Sequence, residues 1–83
     1  MTDLRMRKAT QAVLANLDGI AVRESILADE VGIRLGVASL DAADFGREMK
    51  ELMGAKLVKR DWDAFGEALY EITGEGKKAV MGR

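Results

Sequence analysis

With 83 residues, 48% hydrophobic side chains, 33% charged ones and four aromatics (Phe45, Trp62, Phe65, Tyr70), the chain is expected to form one domain, residues 1–83, around an aliphatic core. Cysteine and histidine are absent, which excludes disulfide frameworks, thiolate or imidazole metal sites and the commonest general base and thiol nucleophile. A net charge of −1 with pI near 5.4 argues against indiscriminate coating of nucleic acid, and no apolar run follows the charged start (Arg5, Arg7, Lys8) to act as a leader or membrane span.

Thr2 or Asp3 can cap a first helix that carries Met6, Ala9, Val13 and Leu17 on one face and ends at Asp18-Gly19. Residues 20–22 follow as a very short extended piece with alternate side chains inward. A second helix starts near Arg23 and buries Leu27, Val31 and Leu35. Two readings of its end stay open. Gly32 can stop it, leaving residues 33–40 as a connector and Ile26 and Ile33 as core; or it continues, and Ile26 and Ile33 form a second apolar face for a protein partner.

Ser39 or Asp41 caps a third helix with the stripe Ala42, Phe45, Met49, Leu52 and Met53, closed by Gly54. Residues 57–62 and 68–73 are β-compatible runs joined by Asp63-Ala64-Phe65-Gly66-Glu67, the pattern of a hairpin with a mid-length loop. Thr73 then caps a short final helix. The expected class is α+β: a three-helix core, a two-stranded hairpin and a short C-terminal helix.

This order resembles the winged-helix family, a branch of the helix-turn-helix proteins, over nearly the whole chain. Leu27-Ala28-Asp29-Glu30-Val31-Gly32-Ile33 is similar to that family's second helix and turn. Leu52-Met53-Gly54-Ala55-Lys56-Leu57-Val58-Lys59-Arg60 resembles the end of a recognition helix entering the first wing strand, and Tyr70-Glu71-Ile72-Thr73-Gly74-Glu75-Gly76 the second wing strand closing on the last helix. Two features depart from the pattern: residues 34–40 exceed the usual tight turn, and the third helix is acidic overall.

The resemblance implies double-stranded DNA as partner, and the charge pattern on the third helix is compatible with it. Stepping 100° per residue, Ala43, Gly46, Arg47 and Lys50 lie opposite the apolar stripe: two small residues for close approach and two cations for guanine or phosphate. Asp44, Glu48 and Glu51 are expected together on one exposed flank, with an Arg47 to Glu51 pair as the plain alternative role of that arginine. Lys56, Lys59 and Arg60 at the wing, and Arg5, Arg7 and Lys8 on the first helix, can add phosphate contacts.

Trp62 and Phe65 flank the wing loop, either as part of the small core or as anchors for a partner. The expected protein is thus a sequence-specific transcriptional regulator of bacterial or phage type, cytoplasmic, homodimeric, without cofactor, metal or enzymatic activity. The alternative is a winged-helix module that binds protein through Trp62, Phe65, Ile26 and Ile33. Asp61, Asp63 and Gly66 mimic the start of a calcium loop, but Phe65 and Ile72 occupy ligand positions. Gly74-Glu75-Gly76-Lys77-Lys78 lacks the first glycine and the hydroxyl residue of a phosphate loop.

Overall fold

The computed structural model describes residues 4–81, so the expected cap at Thr2 or Asp3 lies outside the described residues. Four helices and three strands follow in the order α1 (Leu4–Asn16), β1 (Val22–Arg23), α2 (Glu24–Leu35), α3 (Ala42–Gly54), β2 (Val58–Trp62), β3 (Ala68–Ile72) and α4 (Gly74–Met81).

The inward face of α1 is Met6, Thr10, Val13 and Leu14, with Leu17 and Ala9 only packed against its margin. Thr10 and Leu14 are fully enclosed, a correction to the expected stripe. A hydroxyl is tolerated there because Thr10 Oγ1 donates to the Met6 carbonyl at 2.8 Å, which satisfies the polar group within the helix. Gly19, at φ 83°, makes the left-handed turn that sends the chain into β1. Ile20 is exposed rather than inward.

Gly32 does not end α2. The helix continues to Leu35 and closes at Gly36, whose φ of 73° suits a left-handed cap. Gly32 is instead covered by the returning chain, where Val37 donates its N–H to the Gly32 carbonyl at 3.0 Å. With the helix extended, Ile26 and Ile33, one heptad apart, are both exposed rather than core.

Asp41 caps α3, its carboxylate accepting the N–H groups of Ala43 (2.9 Å) and Asp44 (3.0 Å). Phe45, Met49 and Leu52 are buried as expected, but Ala42, in the first turn, is exposed. Leu27 and Val31 from α2 and Val13 and Leu14 from α1 complete the helical side of the core.

The sheet has three strands, ordered β1-β3-β2, rather than a hairpin alone. Val22 pairs with Tyr70 and Arg23 with Leu69, so β1 occupies the edge of β3 that the hairpin leaves open. Val22, Val58, Ala68, Tyr70 and Ile72 turn one face of the sheet onto the helices. Leu57 precedes β2 and is half-buried; its carbonyl accepts the Thr73 N–H at 3.1 Å. Thr73 caps α4 through Oγ1, which accepts from Gly76 N–H at 2.9 Å.

Candidate nucleic-acid interface

On the solvent side of α3, Ala43, Arg47 and Lys50 are exposed and Gly46 is partly covered. A Cβ placed on Gly46 meets nothing within 4 Å, so no neighbouring element of the fold requires glycine there. Lys50 has no hydrogen-bond or ion-pair partner among the described residues. Arg47 pairs with Asp44, one turn back, rather than with Glu51.

The acidic flank expected beside this ridge is organised differently. Glu48 is 3% exposed, and Arg7 of α1 donates from Nε to its Oε1 at 3.1 Å while its Nη2 reaches Glu51 at 3.4 Å. Arg7 therefore ties α1 to α3 and is not projected toward a ligand. Glu48 lies three residues after Phe45 and four before Leu52, on the margin of the buried stripe, which is why it is enclosed. That spacing was readable in the sequence. The consequence is electrostatic: one arginine compensates two of the three carboxylates near the ridge.

The wing cations are dispersed. Lys56, at φ 64°, turns the chain between α3 and β2, its carbonyl accepting from the Thr73 hydroxyl at 2.8 Å, and its ammonium is exposed with no ion-pair partner among the described residues. Lys59 and Arg60 point to opposite faces of β2, as neighbours in a strand must. On the outer face Lys59 Nζ lies 3.7 Å from Glu71, directly across on β3. On the other face Arg60 lies over the Trp62 ring, 4.9 Å from its centroid, and beside Tyr70. Burial, helped by the charge of Glu24, raises the Tyr70 phenol above its ordinary value, against a hydrogen bond and the charge of Arg60.

The wing loop is fastened at its base. Asp63 Oδ1 accepts from Phe65 and Glu67 N–H groups, and Asp63 Oδ2 lies 3.6 Å from Arg23. Glu67 Oε2 accepts from both the hydroxyl (2.7 Å) and the N–H (3.1 Å) of Ser25, at the start of α2. Those two bonds hold the Glu67 carboxyl below its ordinary value. The sequence suggests no role for Ser25 and none for Arg23 beyond opening α2, because contacts across forty residues or more leave no local signal. At the tip, Phe65 is 88% exposed; Trp62, at 57%, lies outside the core despite its place in a strand.

No family model matches the chain, and no curated protein matches it. Among solved structures, it is similar to a transcriptional regulator of the MarR family from Silicibacter pomeroyi, with a TM-score of 0.76 and 16% identity, over 92% of this chain. The fold is a winged helix, with α2 and α3 as the helix-turn-helix pair and β2 and β3 as the wing. The chain spans 46% of that regulator's length. No helix among the described residues is long and apolar enough to cross a membrane.

Proposed function

We propose that residues 1–83 act as a single winged-helix domain that binds double-stranded DNA in a sequence-specific manner, as a cytoplasmic regulator of bacterial or phage type that works as a homodimer without enzymatic activity. The observation that carries this reading is the outward ridge of α3. It combines a glycine that no contact among the described residues requires with an exposed lysine that no acid among them engages. In this reading Ala43 and Gly46 let the helix approach base edges, Arg47 exchanges Asp44 for guanine, and Lys50 takes a guanine or a phosphate. Lys56, just past the end of α3, extends the ridge; Arg60 and Lys59 contribute less, being engaged by Trp62 and Glu71. The likeness to a transcriptional regulator supports the same assignment.

The test is a salt series of duplex binding with Arg47→Ala and Lys50→Ala. Each substitution should cost about 1–3 kcal/mol of affinity, and removal of a phosphate contact should lower the salt slope by about one, with thermal stability nearly unchanged. Undiminished binding by the double variant overturns the reading.

A second reading is favoured by one observation: Trp62, Phe65, Ile26 and Ile33 are all exposed, Ile33 at 71%. In it the domain binds a protein partner through those residues. A Trp62→Ala, Phe65→Ala double variant that loses assembly but keeps duplex affinity assigns them to protein contact.

A further inference from the structure

The outer edge of the sheet carries a charge pattern that fits itself. Strand β2 is the edge strand, and residues 59–62 are exposed on both of its faces. Its backbone alternation follows from the hairpin. Leu57 accepts from Thr73 and Asp63 donates to Glu67, so Leu57, Lys59, Asp61 and Asp63 face β3 with their N–H and C=O groups. Val58, Arg60 and Trp62 therefore turn theirs to the free edge. Such a row is a template for another strand.

We infer that a second copy of this chain pairs antiparallel with that edge, β2 against β2, about a two-fold axis at Arg60. The side chains decide the register. With Arg60 opposite its own copy, Lys59 faces Asp61 of the other chain and Asp61 faces its Lys59, giving two opposite-charge cross-strand pairs. Sliding one strand by two residues, the smallest shift that keeps the backbone groups in phase, puts Lys59 on Lys59 in one direction and Asp61 on Asp61 in the other. The first alternative gains no opposite-charge pair in return; the second sets Lys59 against Asp63, an acid already engaged by Arg23 of its own chain. The chosen register leaves one like-charge pair, Arg60 on Arg60 at the axis; each guanidinium lies over Trp62 of its own strand, and because the strands run in opposite directions the two heads diverge.

Two further features fit the pairing. The Asp61 carboxylate now accepts the N–H of Trp62 on its own strand, at 2.8 Å, which is the one edge donor already engaged. Pairing gives that N–H the Val58 carbonyl of the second copy and releases Asp61 to the second copy's Lys59. Each Lys59 then lies between Glu71 of its own chain and Asp61 of the other. The exposed Trp62 ring is carried to the second copy's Val58, at the margin of its core. The product is one six-stranded sheet, with the apolar wing residue covered at its centre.

This names the contact behind the homodimer in the functional reading above, and it does not depend on DNA binding. The experiment measures self-association by sedimentation from micromolar to millimolar protein, without DNA, for the parent chain, Lys59→Asp, Asp61→Lys and an equimolar mixture of the two variants. The parent should dimerise reversibly. Each variant alone places like charges opposite each other and should associate at least about tenfold more weakly. The mixture should recover the dimer, since every cross-strand pair in the heterodimer is again opposite in charge. A parent that stays monomeric overturns the proposal, as do variants that dimerise like the parent or a mixture that fails to recover.

Because Lys59→Asp also loses Glu71 and can perturb folding, amide exchange on the parent chain supplies an independent reading. The Arg60 and Val58 N–H groups should exchange more slowly as protein concentration rises, while the tip amide of Ala64 should not respond. Concentration-independent exchange at Arg60 overturns the pairing. Duplex affinity enters neither measurement, so failure here removes this dimer contact but leaves the DNA contacts of α3 standing, and failure there leaves the pairing.

Discussion

The beginning of α4 and the outward face of α3 each carry a helical glycine, and the two are held there by opposite circumstances. At Gly76 an added Cβ would lie 2.1 Å from the Leu57 carbonyl oxygen and 2.7 Å from Ile72 Cγ1, so the close packing of α4 on the hairpin permits no side chain. At Gly46 the same atom meets nothing. A glycine costs roughly 1 kcal/mol relative to alanine in mid-helix, where Gly46 sits, and less in a first turn such as the one Gly76 occupies. At Gly76 the cost is offset by packing within the fold. At Gly46 no packing among the described residues offsets it.

The packing side of this comparison is tested most strongly in the core. Phe45→Ala should destabilise by about 3–5 kcal/mol in urea unfolding, because Phe45 is 2% exposed at the junction of α3 with the rest of the core. Gly76→Ala should cost about 1–3 kcal/mol, since backbone must move to admit the methyl group. An unchanged midpoint for Gly76→Ala would remove the distinction between the two glycines.

The seam between α1 and α3 ranks next. Arg7→Ala leaves Glu48 buried without its cation and should cost about 1–2 kcal/mol, less than a fully enclosed pair because the Arg7 side chain is partly exposed. Arg7→Ala combined with Glu48→Gln should recover part of the loss. If Arg7→Ala instead weakened DNA binding with no change in the unfolding midpoint, the arginine would belong to the interface rather than to the seam.

The sequence disclosed what depends on local periodicity and punctuation. Asp41 capping α3, Thr73 capping α4, Gly19 turning the chain and the Phe45, Met49, Leu52 stripe are all short-range patterns. Contacts between distant segments were hidden. Arg7 looked like a phosphate ligand and Glu48 like a solvated acid because their meeting spans 41 residues. Val22 could be read as extended, but its pairing with Tyr70 depends on where the hairpin packs. Gly32 was ambiguous for a related reason: its packing partner is the returning chain at Val37 and Leu40, and no local rule distinguishes a packed helical glycine from a terminal one.

The smallest expected effect separates the two sides of the comparison most directly. Gly46→Ala removes a helix-weakening residue at a position with free space, so it should raise stability by about 0.5–1 kcal/mol in the same urea experiment. If α3 enters the major groove, the added methyl group stands between Ala43 and Lys50 on the ridge and should hold the helix off the bases, weakening specific binding while leaving non-specific, salt-dependent binding nearly unchanged. Stability and specificity would then move in opposite directions at one residue. A gain in stability with undiminished specific affinity would place DNA contacts elsewhere on the domain, and a loss of stability would mean that Gly46 serves the fold after all, as Gly76 does.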